Sequence, residues 1–214
     1  MKKISIIIVA LFSLISSAAN AKTQGNYLGL NLLRTEVELD GIISSEPTIY
    51  DKDKSRDDRY SVGFNYRYAL NFNKFFVAPE VFFDFNQAKT RVAQLVMRTP
   101  TYTNFEIKNS VGAKLNLGYD IKENFALYGF FGHSINRVRF HTSVPGVSDS
   151  FGLEYFNQEA FIYGLGAKLD LTKRLSLNLS YEMAQFGLSN DVFNTTDEIN
   201  PDFHVAKLGL AYNF

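Results

Sequence analysis

The last eleven residues, HVAKLGLAYNF (204–214), decide how the chain reads. Taken alternately from the end, Phe214, Tyr212, Leu210, Leu208 and Ala206 form one set, and Asn213, Ala211, Gly209, Lys207 and Val205 the other. The first set is apolar with an aromatic tip; the second is mostly small or polar. Successive side chains of a strand point to opposite faces, so this is a strand with one oily face, and the chain stops on it with no tail.

The same period of two runs upstream. In RYSVGFNYRYAL (59–70), Tyr60, Val62, Phe64, Tyr66, Tyr68 and Leu70 alternate with Arg59, Ser61, Gly63, Asn65, Arg67 and Ala69. In FFVAPEVFFDFN (75–86), Phe75, Val77, Pro79, Val81, Phe83 and Phe85 oppose a set containing Glu80 and Asp84. Strands of the same kind are read at 26–33, 108–120, 159–171 and 174–185. The segment FALYGFFGHSINRVRF (125–140) is apolar on both faces at its start. Tyr128, Phe130 and Phe140 are placed outward there, because the opposite register turns His133, Arg137 and Arg139 toward lipid. A midplane Arg on a lipid face costs about 2–4 kcal/mol. Proline cannot donate to a ladder, so Pro79 predicts a local bulge.

These segments make eight strands, with connections that alternate in length. Asn71–Lys74, Lys122–Asn124 and Thr172–Arg174 are short; 40–59, 88–105, 141–158 and 186–203 are long. An antiparallel meander gathers all long connections at one end, the arrangement of an outer-membrane barrel. Backbone groups in hydrocarbon must all be paired within the protein, so such a sheet spans only if it closes. The expected fold is therefore all-β, a closed eight-stranded antiparallel up-and-down transmembrane barrel in which the last strand seals against the first. Tyr68, Phe75, Tyr119, Tyr212 and Phe214 are expected in one aromatic girdle, and Tyr60, Phe85 and Phe161 in the other.

The start of the chain fits export. Lys2 and Lys3 precede an apolar run from Ile4 to Ile15, and Ala19-Asn20-Ala21 offers a small-residue cleavage site. Residues 1–21 read as a signal peptide and 22–214 as the barrel domain. An uncleaved anchor is the alternative, but the apolar run falls short of the roughly 20 residues a spanning helix needs. The chain has 22 basic and 22 acidic residues and no Cys, which argues against nucleic-acid binding and removes disulfides and thiol chemistry.

Eight strands leave an interior that side chains can fill. Arg67, Glu80, Asp84, Lys114, Glu182 and Lys207 point inward in this reading, as an interior polar network of mixed sign. Buried charges need partners, so the network is read as a plug, with a gated pore as the alternative and a general porin disfavoured. No catalytic, cofactor or metal site is expected. His133 and Ser134 are adjacent and so face opposite ways, and DKDKSRDDRY (51–60) lacks the Gly and Glu of a calcium loop. Exposed Leu95, Val96 and Met97, with Phe151, Leu153 and Tyr155, are the candidate loop contacts, because apolar residues in long loops mark binding surfaces.

Together, the leader, the eight alternating strands, the four long connections and the terminal Phe resemble the small bacterial outer-membrane barrels of the opacity-protein and OmpX-like group, which includes small surface adhesins. The resemblance implies outer-membrane localisation with loops extracellular and termini periplasmic. It implies contact with outer-membrane lipid and lipopolysaccharide, and a C-terminal assembly signal (Leu208, Leu210, Tyr212, Phe214) read by the barrel-assembly machinery. The function expected from it is adhesion or binding of a host surface or serum protein, without catalysis. The alternatives are a purely structural barrel and a lipid-modifying barrel enzyme; the sequence lacks the His-x-Ser spacing and the leading amphipathic helix of two such enzymes.

Overall fold

The computed structural model of the chain describes residues 23–40, 57–86, 89–96, 99–143, 151–186 and 200–214. The expected signal peptide and the mixed-charge stretch 51–56 lie outside them. The described residues form nine strand segments: β1 (Gly25–Asp40), β2 (Asp57–Phe72), β3 (Phe75–Asp84), β4 (Lys89–Val96), β5 (Thr99–Lys122), β6 (Phe125–Ser143), β7 (Phe151–Asp170), β8 (Leu175–Phe186) and β9 (Asn200–Asn213).

Every pairing is antiparallel between neighbours, and the sheet closes because β3 also pairs with β5. Segments β3 and β4 lie one after the other along β5, with Asp84 opposite Ser110 and Lys89 opposite Glu106. They form one stave in two pieces, so nine segments build a closed eight-stranded barrel. The seam between the first and last strands runs from Tyr27–Asn213 to Asp40–Asn200 with no register shift. β9 is thus a full wall member, paired with β1 on one side and β8 on the other.

The short turns are built locally. Asn73 has φ of 66°, a left-handed conformation that Asn tolerates better than most residues, and this allows the reversal between β2 and β3. The Thr172 hydroxyl accepts hydrogen bonds from the Arg174 and Leu175 amides at 3.2 and 3.0 Å, which shapes the turn between β7 and β8.

Three expectations need correction. The 125–140 strand runs in the opposite register: Tyr128 and Phe130 are buried inside, while His133 and Arg137 are exposed on the outer face and Arg139 lies half-buried there. The side chain of Phe140 is outside the description. The arginines follow the turn before β6 by more than ten residues, beyond the length that hydrocarbon requires. The midplane penalty used to choose the register therefore does not apply to them. Pro79 produces no bulge. The β2–β3 ladder loses its pairing opposite Pro79 and Ala78, but the register on either side is unchanged. Two of the expected long connections, 88–105 and 141–158, are also largely strand, while most of 40–59 and 186–203 lies outside the described residues. β4 and the start of β5 form a hairpin within 88–105, and β6 and β7 continue to Ser143 and from Phe151.

The outer face is apolar, with Leu28, Phe64, Val81, Leu117, Leu165 and Leu210 among its exposed residues. The interior is stratified. Toward the short turns, Tyr27, Phe76, Tyr128 and Phe130 fill the space left by Ala69, Ala78, Ala126 and Ala211. Toward the other end, Phe82, Ile107, Val138, Ile162 and Phe203 form a second apolar layer. Arg67, Glu80, Asp84, Lys114, Glu182 and Lys207 lie between.

Candidate functional site

The interior and the outer face of the tall strands carry the two notable groupings of polar side chains. Inside, β2, β3, β5, β8 and β9 each present charges because their inward positions alternate with lipid-type residues. The six charges form one chain of alternating sign. Arg67 Nε lies 2.6 Å from Glu80 Oε2. Lys114 Nζ bridges Glu80 Oε1 at 3.3 Å and Glu182 Oε2 at 3.5 Å. Lys207 Nζ then joins Glu182 Oε2 at 3.1 Å to Asp84 Oδ2 at 2.7 Å. All six residues are buried.

Neutral groups complete the network. Asn116 donates to Glu80, and Arg67 donates to Asn178 Oδ1. Lys114 Nζ sits 4.5 Å from the Phe130 ring centroid and Lys207 Nζ 4.7 Å from that of Phe82, so the apolar layers also face cations with ring π-density. A cavity of about 10 Å³ remains beside Arg67, Glu80 and Lys207. That is room for roughly one water. Nearer the long-connection end, Thr35, Asn86, Ser110, Asn136 and Ser134 form a hydrogen-bonded ladder across the lumen. Among the described residues, side chains of the Tyr27 layer, the ion-pair chain and the Ile107 layer succeed one another along the lumen.

The second grouping is outside, on the stretch of β5, β6 and β7 farthest from the short turns. Tyr155 of β7 is the register partner of Arg139 on β6. The guanidinium carbons of Arg137 and Arg139 lie 4.9 and 5.7 Å from the Tyr155 ring centroid. A register shift between Ile107 and Asn109 leaves Lys108 as an extra residue on this side. Lys108 pairs with Glu106 at 2.7 Å, and Arg139 approaches Glu106 at 3.9 Å. Below them His133 and Glu159 meet at 3.5 Å, both exposed. The result is a cationic, aromatic collar just above Phe161.

Of the candidate loop contacts, Tyr155 is half exposed and belongs to this collar. Leu95 and Val96 lie on β4, and Phe151 and Leu153 on β7, with their side chains outside the description; Met97 is outside it altogether. Leu208, Leu210, Tyr212 and Phe214 all face outward. His133 points out while Ser134 points in, and His204 stacks on Tyr181, whose hydroxyl is 3.0 Å from its Nδ1. Sequence reasoning missed Arg137 and Arg139 as surface groups. Counting residues from the Glu123–Asn124 turn places them past the hydrocarbon and would have found them.

Residues 6–214 match the model of the outer membrane protein beta-barrel domain family. No curated protein matches the sequence. Among solved structures, the chain is similar to Ail, the attachment invasion locus protein of Yersinia pestis, at 18% identity and a TM-score of 0.51, over 90% of this chain and 100% of that one. It is similar to the outer membrane protein OprG of Pseudomonas aeruginosa at 15% identity and a TM-score of 0.50, over 91% and 98%. At these identities the likeness is one of fold.

Proposed function

Since the chain belongs to the outer membrane protein beta-barrel family, and so to the bacterial outer membrane, we propose that it is a non-catalytic surface-binding barrel of adhesin type. In this reading the short turns and both termini are periplasmic, and the tall β5–β7 wall stands outside the cell. The observation that supports it best is the Arg137–Tyr155–Arg139 cluster on that wall. Arg and Tyr are the residue types that dominate binding hot spots, because they combine large planar surface with directed donors. Here two arginines share one half-exposed ring. The filled lumen supports the second half of the reading, that no solute passes through the barrel.

The test is adherence. Bacteria expressing the protein are compared with bacteria carrying Arg137→Ala, Arg139→Ala and Tyr155→Ala together, on host cells and on immobilised serum and matrix proteins. The expected result is a loss of at least tenfold in the triple variant, with the same amount of folded barrel at the surface. Wild-type adherence no better than that of the empty strain would favour the purely structural reading. A change in lipid A on expression would favour an enzyme.

A further inference from the structure

Three of the buried charges form a reactive grouping as well as a structural one. Lys207 on β9 and Asp84 at the end of β3 are separated in the sheet by β1 and β2, and their side chains meet across the lumen. Lys207 Nζ is 2.7 Å from Asp84 Oδ2 and 3.1 Å from Glu182 Oε2. The Phe82 ring centroid is 4.7 Å from the same nitrogen. All three charged residues are buried, and Asp84 Oδ1 has no hydrogen-bond partner among the described residues. A nitrogen 2.7 Å from a carboxyl oxygen stands about 3–3.5 Å from the carbon behind it, the range of a near-attack arrangement.

We propose that Lys207 and Asp84 condense into an intramolecular amide, with Glu182 carrying the protons. The Nζ–Cγ bond forms and one Cγ–O bond of Asp84 breaks. Glu182 takes a proton from the ammonium, which frees the nitrogen lone pair for attack, and delivers it to the departing oxygen. A second nitrogen proton follows the same route. The oxygen leaves as water, and Glu182 returns to a carboxylate. No oxidant or other reactant is consumed. The cavity beside Lys207 has room for about one water, the size of the by-product.

Charge favours the product. An ion pair in a dry interior carries the desolvation cost of both ions, and an amide carries neither. Losing one charge of each sign leaves Arg67 and Lys114 against Glu80 and Glu182, still in balance. The other buried cations lack this grouping. Lys114 stands farther from its carboxylates, at 3.3 and 3.5 Å, and Arg67 has no amine. Lys168 pairs with Asp170 at 3.0 Å, but its other hydrogen-bond partners among the described residues are the Thr23 and Tyr27 hydroxyls. Asp120 is engaged instead by the Thr23 hydroxyl and by Asn71, at 2.7 and 2.9 Å. With no second carboxylate to take its proton, Lys168 stays an ion pair. The amide ties β3 to β9 across the barrel, and the inference is independent of the adhesion reading.

The test uses protein purified from outer membranes, then unfolded, digested and read by tandem mass spectrometry. The expected result is a branched peptide joining the segments that carry Asp84 and Lys207, lighter than their sum by one water, in most of the chains. Lys207→Arg and Asp84→Ala should each abolish it. Glu182→Gln keeps both reacting groups and should slow the appearance of the branch during refolding by about a hundredfold or more. If Glu182→Gln does not fold, wild-type chain from urea-solubilised inclusion bodies decides the matter. Its loss of water should follow folding and be absent from chain kept in urea. Separate, unbranched peptides from the folded wild type overturn the proposal. So does a branch at Lys168 in place of Lys207, an unchanged rate in Glu182→Gln, or loss of water in the unfolded chain.

Discussion

Arg67 and Glu80 are register partners across β2 and β3, and their side chains meet at 2.6 Å inside the barrel. Glu80 also receives Lys114, so one carboxylate holds two cations. Removing it leaves both charges buried and opposed by too little negative charge. Glu80→Gln is expected to cost about 3–5 kcal/mol of unfolding free energy. Denaturant titration of refolded protein, followed by the mobility difference between boiled and unboiled samples, measures it. Replacing Arg67 and Glu80 together by methionines should cost clearly less than Glu80→Gln, because no charge is then left unpaired at that pair.

The register of β6 makes neighbouring positions respond oppositely. Phe131 is half exposed on the oily face, and Tyr128 is buried in the lumen. A nitroxide attached at Phe131→Cys should relax in the presence of lipid-soluble oxygen, and one at Tyr128→Cys should not. Phe131→Arg is expected to cost up to about 2–4 kcal/mol, the penalty for a cation on the lipid face, falling toward the interface. Arg137→Ala should leave stability within about 0.5 kcal/mol, as for a surface residue.

Gly166 sits beneath the Tyr128 ring, and a Cβ there would overlap it. The two are register partners across β6 and β7. Gly166→Ala is expected to destabilise by about 1–3 kcal/mol, the usual cost of overpacking. Combining it with Tyr128→Phe should recover part of that loss, because the phenol oxygen is one of the atoms the new methyl meets. Equilibrium unfolding of the two variants checks both statements.

A lumen crossed by this ion-pair chain, with space for about one water beside Arg67 and Lys207, should not conduct. Planar-bilayer recordings of the refolded barrel are expected to stay at baseline in molar salt, and liposomes containing it should not swell in sugar solutions. Steady channels of defined conductance would refute the plugged interior. The experiment remains informative after Lys114→Ala, which removes the cation linking Glu80 to Glu182 and should lower stability without opening a sugar path.

Most of the barrel was legible because one face touches lipid and the other does not, so alternation carries the register directly. The seam, the outward set on β9 and the inward placement of Lys114 and Glu182 all follow from it. The strand at 125–140 failed because both faces are apolar and charge was used to break the tie. Volume would have broken it correctly. On the neighbouring β7 the inward positions Gly164 and Gly166 leave space, and Phe130 and Tyr128 of the 125–140 strand occupy it. A small barrel with glycine at those positions needs large rings from the adjacent strand. The collar was only partly legible, since Tyr155 was singled out while the arginines that flank it depend on height above the girdle. The hydrogen bond from the Thr23 hydroxyl to Asp120 left no pattern in sequence, because it joins residues 97 positions apart.

β5 has 24 residues and β7 has 20. At about 3.3 Å per residue the longest strand runs roughly 80 Å along its path. The Arg137–Tyr155–Arg139 collar sits on the side wall of these long strands and not on a rim, which gives the barrel an azimuth: turning it about the membrane normal changes what it shows. If the collar is the contact surface proposed above, a partner would meet it sideways, and crowding by neighbours in the plane of the bilayer would hinder binding more than a thick layer overhead.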